Sequence, residues 1–272
     1  MIVHDRTRLT VTLTRFFFMI MEVARLKRFL LLLLCLTMLV PGALAESTEP
    51  QPTEDTRKFL LNNGDRDAQK IAITIDDCFD MVSMADALDL CEKYGVVVTF
   101  FPIGETLKEE DRALWLRAID LGCEIGSHTN RHYDLGKSQA STIIDSCGIF
   151  QEKLDRALGF HYQVNSLRPP FGNLKDSTGS IMPARRALIH YGFKHAVNWD
   201  VSQTDPALAI KKVRNGSILL YHTRPKDIKC IDTLIPQLQE KGFEMVTVSE
   251  LLEFGPIETS DELFVYNRHD FF

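Results

Sequence analysis

Six side chains in this sequence are of the types that hydrolytic chemistry uses: Asp76, Asp77, His128, His132, Arg168 and His222. Asp76 and Asp77 close an alternating run that begins at Lys70. Adjacent side chains on a strand face opposite ways, so two neighbouring acids share one cleft only where the chain is turning. There, one carboxylate can ligate a metal ion while the other handles a proton. His128-Thr129-Asn130-Arg131-His132 sets two imidazoles four residues apart, on one side of a helical turn, as a single ion requires. That spacing alone is weak evidence. With a carboxylate from a neighbouring loop it becomes a two-His, one-Asp set, and three protein ligands leave a catalytic metal an open position for water. Such an ion lowers the pKa of water from 15.7 toward ~7 and polarises a carbonyl oxygen.

The elements that must position these groups alternate. Lys70–Asp77 reads as a strand, Met84, Leu88 and Cys91 recur at helical spacing, and Val96–Phe101 is a near-continuous apolar strand. Helices are expected over Glu109–Leu121, Gln139–Leu158, Pro183–Tyr191, Ala207–Arg214 and Ile231–Glu240. Strands are expected at Cys123–Gly126, Tyr162–Leu167, Lys194–Trp199, Ser217–Tyr221 and Phe243–Val248. Strand–helix alternation at this spacing predicts an α/β domain with a parallel sheet. Six to seven units, with no glycine-rich dinucleotide fingerprint after the first strand, favour a distorted (β/α) barrel over a doubly wound sheet. Asp76, Asp77, His128, Arg168 and His222 each follow a predicted strand. In parallel barrels the C-terminal strand ends form one face, and that face carries the active site.

The rest of the chain bounds the partners. Residues 1–45 read as a secretory signal peptide: Arg25, Lys27 and Arg28, an apolar run from Phe29 to Val40, then Ala43-Leu44-Ala45 at the cleavage position. A start at Met21 would give a signal of ordinary length, and that start is expected. The apolar run falls short of the ~20 residues a spanning helix needs, so no stable membrane span should remain after cleavage. Export to the cell envelope or medium is the expected destination. Residues 46–69 read as a linker, 70–254 as the folded domain and 255–272 as a loosely docked tail. Without residues 1–45 the chain carries 25 basic and 35 acidic residues, a charge near −10, which argues against nucleic acid as a partner. Five cysteines remain, an odd number with no Cys-x-x-Cys pair, so a cysteine zinc site is not expected and buried thiols are.

Asp76-Asp77, His128-x-x-x-His132, Arg168-x-Pro170-Phe171-Gly172 and Leu220-x-His222, in this order, resemble the polysaccharide deacetylases (NodB homology, carbohydrate esterase family four). The resemblance covers roughly residues 70–252. It implies a distorted barrel and a divalent metal, zinc first and cobalt, manganese or nickel as alternatives, used to remove acetyl groups from chitin, peptidoglycan or xylan. It splits the acid pair: Asp77 would bind the metal with His128 and His132, and Asp76 would be the general base, paired with Arg168. His222 would protonate the leaving nitrogen. Pro170, Phe171, Gly172 and Leu220 would contact substrate, with a backbone N–H near Phe171 facing the oxyanion. Two departures stand out. The family usually has glycine after the acid pair, where this chain has Cys78. The acid that orients the proton-donating histidine is usually followed by tryptophan; the match by spacing is Asp205, followed by Pro206, with Asp200 as fallback.

The leading expectation is therefore a secreted, metal-dependent hydrolase acting on N-acetylated glycans, peptidoglycan ahead of chitin oligomers. O-deacetylation of xylan would use the same site. A thiol nucleophile at Cys78 would leave His132, Asp77 and Arg168 unexplained, and a glycan-binding module without turnover would not need base, ligands and acid together.

Overall fold

A computed structural model describes residues 59–272. The expected signal peptide and the first part of the expected linker lie outside the described residues. The domain is organised around β2 (Lys70–Asp77), whose six central residues are buried. It pairs in parallel with β3 (Thr99–Pro102) and β7 (Ile218–His222), while β8 (Glu244–Met245) pairs with its first two residues. β4 (Glu124–Ile125) extends the sheet beyond β3. A strand covered on both faces has no polar side to present, which is why its Ile-Ala-Ile-Thr-Ile run is nearly all apolar.

The helices between these strands begin and end on their own signals. α1 (Met81–Tyr94) is capped by Asp80, which accepts the Val82 N–H, and stops at Gly95, whose φ of 62° is left-handed. α2 (Arg112–Asp120) puts Trp115 into the core against Phe100, with ring centroids 6.2 Å apart. α3 (Ala140–Leu158) and α4 (Met182–Tyr191) follow. α5 (Pro206–Lys212) and α6 (Pro225–Glu240) both start on proline, which tolerates the first turn because its missing N–H would have had no partner there. α6 thus starts six residues before its expected start at Ile231. α7 (Val248–Leu251) closes the alternation.

Several expectations change. Among the described residues the strands do not join into a continuous barrel ladder. Between β4 and β7 the described residues are linked by isolated bridges, Ser127 to Leu167 and Val201 to Leu219, and by the Val197 N–H to Leu167 carbonyl bond of 2.8 Å. The expected strands Tyr162–Leu167 and Lys194–Trp199 shrink to β5 (His161–Tyr162) and β6 (Ala196–Val197). The end of the expected linker is also structural: Leu60–Leu61 forms β1, parallel to β6, with Phe59 buried. The tail is anchored rather than loose. β9 (Thr259–Ser260) pairs antiparallel with β5, the Tyr266 hydroxyl bonds Asp145, and Phe271 stacks on Tyr191.

Candidate active site

Register brings the acids and His222 together before any side chain is considered. Asp76 on β2 lies beside His222 on β7, and Thr74 beside Leu220. Laterally paired residues of a parallel sheet share a face, so Thr74, Asp76, Leu220 and His222 look the same way. Asp77 would face away if the strand continued. Instead Asp77 and Cys78 take φ values of 70° and 55°, and the turn closes with the Cys78 N–H on the Asp76 carbonyl at 2.9 Å. That reversal returns the second carboxylate to the cleft.

The histidine pair is held by a similar device and not by the expected helical turn. Residues 129–131 form a turn in which Thr129 (φ 64°) and His132 (φ 57°) are left-handed. The Ser127 hydroxyl accepts the Thr129 N–H, and the Thr129 hydroxyl accepts the His132 N–H, both at 3.2 Å. Short polar side chains satisfying nearby amides are what make such turns affordable to non-glycine residues. Among the described residues, five of the six non-glycine positions with positive φ are Asp77, Cys78, Thr129, His132 and Phe171. Strain of this kind, about 1–2 kcal/mol per residue, persists only where surroundings enforce it. Here it is concentrated around one cleft.

Asp77 Oδ1 sits 3.6 Å from both His128 Nε2 and His132 Nε2, and donor atoms of the three residues all lie within 4.8 Å of one another. Metal–ligand bonds of about 2.0–2.1 Å in tetrahedral array put donors roughly 3.3 Å apart, so this set fits a single divalent ion with little closure. The donor chemistry fits as well. His128 Nδ1 lies 2.7 Å from the Arg168 carbonyl, and a proton on Nδ1 leaves Nε2 bare for the ion. Burial pushes the His128 pKa down to about 3, so the imidazole stays neutral and ligand-competent at ordinary pH.

Asp76 is 2 % exposed. Arg168 Nη1 lies 3.0 and 3.1 Å from its two oxygens, and the guanidinium also donates to Thr74, the Val197 carbonyl and the Asn198 carbonyl. Phe101 and Trp199 flank the guanidinium at 4.6 and 5.4 Å. Burial pushes the Asp76 carboxyl up, while Arg168, His222 and His132 pull it back. The result is a carboxylate held as half of an ion pair that takes up a proton more readily than an exposed one would.

Pro170-Phe171-Gly172 forms a tight turn beside the ligands. The Phe171 ring, 67 % exposed, meets His132 edge-on at 4.6 Å. Gly172 (φ 63°) is required there, since a Cβ would come 2.8 Å from the Trp199 ring. Cys78 is fully buried, its thiol 3.7 Å from the Ile75 carbonyl, and burial pushes its pKa well above the ordinary thiol value. It is a packed side chain where backbone geometry would accept glycine.

Asp205 does not meet His222. It caps α5, accepting the Ala207 and Leu208 N–H groups, because Pro206 fixes the first helical residue and makes the preceding acid an N-cap. The fallback, Asp200, is engaged by Arg66 at 2.7 Å, the Ser217 hydroxyl and the Ile218 N–H. The carboxylate beside His222 is Asp227, in the first turn of α6, with Oδ2 3.4 Å from Nδ1 and 2.9 Å from the His222 N–H. Its sequence signal was only a five-residue spacing after His222, across a proline.

Comparison with known proteins points to the same family as the sequence motifs. Residues 63–186 match the family model described as polysaccharide deacetylase. A peptidoglycan-N-acetylglucosamine deacetylase of Bacillus cereus is 25 % identical over 198 residues, covering 70 % of this chain and 71 % of that protein. Over these spans the chain is similar to the polysaccharide deacetylases. A bifunctional xylanase/deacetylase of Pseudobutyrivibrio xylanivorans is also 25 % identical, over 85 % of this chain but 38 % of its own length. The chain thus spans well under half of that relative. Among solved structures, a peptidoglycan N-acetylglucosamine deacetylase superposes with a TM-score of 0.63 at 23 % identity, covering 75 % of this chain and 97 % of that one. A Bacillus anthracis protein described as a pseudoenzyme of the same family superposes at 0.61 and 20 % identity, covering 71 % and 68 %. The deacetylase fold therefore accommodates proteins described as active and as inactive, and the site residues must carry the distinction.

Proposed function

We propose that this chain is an exported, metal-dependent hydrolase that removes N-acetyl groups from glycans, with peptidoglycan as the first candidate substrate and chitin oligomers as the second. One observation carries the reading. Asp77, His128 and His132 converge as ligands on the same face that holds the buried Asp76–Arg168 pair and His222. The relatives named for peptidoglycan deacetylation support the substrate class. Zinc suits two imidazoles and a carboxylate best, with cobalt, manganese and nickel as alternatives.

Asp77, His128 and His132 would hold the ion. When bound, it supplies a Lewis acid for the acetyl carbonyl and makes water a competent nucleophile near neutral pH. Asp76 accepts the proton of the attacking water, and Arg168 keeps that carboxylate aimed and ionised until it does so. The Phe171 backbone N–H would face the developing oxyanion, and Leu220, paired with Thr74, would contact substrate. His222 delivers a proton to the departing amine, which would otherwise leave as an unstable anion.

The site would equally cleave an acetyl ester, whose leaving oxygen needs less help from an acid. The xylanase/deacetylase relative is the observation that favours keeping acetylated xylan as a second substrate. Acetate release by the metal-loaded protein from peptidoglycan, N-acetylated chito-oligomers and acetylated xylan, side by side, decides. Release from the first two ahead of xylan is the expected result; release from xylan alone would transfer the assignment to the esterase.

A further inference from the structure

His222 ends β7, and the chain turns through Thr223 and Arg224 straight into α6. Three contacts fix that turn: the Arg224 N–H donates to the His222 carbonyl at 2.7 Å, the Asp227 N–H donates to the Arg224 carbonyl at 2.9 Å, and the Asp80 N–H reaches the Thr223 hydroxyl at 3.4 Å. Asp227 is 4 % exposed, and one of its oxygens, Oδ2, addresses His222 twice, through the backbone N–H and through Nδ1. The other acids in reach of this part of the chain are engaged elsewhere, Asp205 on the α5 amides and Asp200 on Arg66 and Ser217.

We propose that Asp227 is the positioning residue for His222, an orienting carboxylate supplied by the first turn of α6 in place of the acid that the spacing pointed to at Asp205. The inference rests on the reading of His222 as proton donor and adds the residue that makes it one. A carboxylate at Nδ1 holds the ring proton there, which leaves Nε2 as the nitrogen that carries the transferable proton into the cleft. The bond to the His222 amide ties ring and backbone to one anchor, so the imidazole is aimed by two contacts. The charged groups set against His222 are Asp227 from α6 and Asp76 from β2, the latter tied to Arg168.

The test uses the full chain loaded with zinc, N-acetylated chito-oligomers as substrate, and the variants Asp227→Asn, Asp227→Glu and His222→Ala. Asp227→Asn should retain its metal, since Asp77, His128 and His132 are untouched. Its kcat should fall roughly 10–10³-fold, within the usual worth of an acid–base group, with little change in KM. Asp227→Glu should restore part of that loss. Normal kcat in Asp227→Asn, with His222→Ala inactive, would overturn the role of Asp227 alone. An active His222→Ala would overturn the proton-donor reading itself and this inference with it. Nitrogen chemical shifts of the His222 ring in the unaltered protein give a check that needs no variant to fold. A neutral ring protonated on Nδ1 is expected, and one protonated on Nε2 would contradict the proposal.

Discussion

Asp76 on β2 and Glu124 on β4 are equally buried, each 2 % exposed, and they lead opposite lives. Glu124 is enclosed by neutral donors: the Ser166 and Ser249 hydroxyls at 2.6 and 2.8 Å, the Ser249 N–H at 2.7 Å and the Thr99 hydroxyl at 3.3 Å. These contacts join β3, β4 and the start of α7. Asp76 has a guanidinium on one side and imidazoles on the other, next to backbone that turns left-handed at Asp77 and Cys78. Burial with a full set of neutral donors makes a carboxylate a structural tie. Burial against a guanidinium, beside strained backbone, is the setting of the proton acceptor proposed at Asp76.

Exchanging the charge of each acid separates the two roles. Asp76→Asn should retain the metal and lose ~10²–10⁴-fold in kcat, the worth of a general base, as read by acetate release and metal analysis. Full activity in that variant would show that Asp76 is a tie like Glu124. Glu124→Gln should leave kcat unchanged and cost about 1–3 kcal/mol, because its amide turns a donor toward donors. Denaturant unfolding measures that loss, and a rate defect without a stability defect would erase the distinction.

A pH series sharpens the electrostatic side. His128 has its folded pKa depressed from 6.5 to about 3, so between those values the unfolded chain binds the extra proton. The stability contributed by neutral His128 is therefore present above about pH 6.5 and is lost as pH falls toward 3. Metal-free protein should show this slope in unfolding experiments, and His128→Gln should flatten it. The smallest effect is expected at Cys78→Gly. Relief of a left-handed side chain, roughly 1 kcal/mol, offsets the loss of a buried thiol of similar size, so stability and activity should both stay close to those of the unaltered protein. Loss of activity there would return a chemical role to the thiol.

Much of this was legible in residue order. Strand–helix alternation and the polar groups at strand ends led to the parallel sheet and to the convergence of Asp76, Asp77, His128, Arg168 and His222. Left-handed turns were not legible, because Asp77, Thr129 and His132 carry no glycine to announce them. The His128–His132 spacing therefore pointed to a helix where a capped turn does the work. Asp205 misled for a related reason: spacing says how far along the chain an acid lies, while Pro206 decides that it caps a helix. Asp227 became visible only when the turn after β7 folded it back onto His222. Pairing between distant segments is also why β1 and β9 escaped notice, since two-residue strands have no periodicity to read.

The central claim is that one bound ion and the acid pair beside it release acetate from a glycan. Metal analysis and acetate release from peptidoglycan should be measured together on the unaltered protein, on a chelated sample and on Asp77→Ala. The expected result is one ion per chain with acetate released, and loss of both on chelation or in Asp77→Ala. Undiminished release by metal-free Asp77→Ala, or a tightly held ion with no acetate from any acetylated glycan, would contradict it.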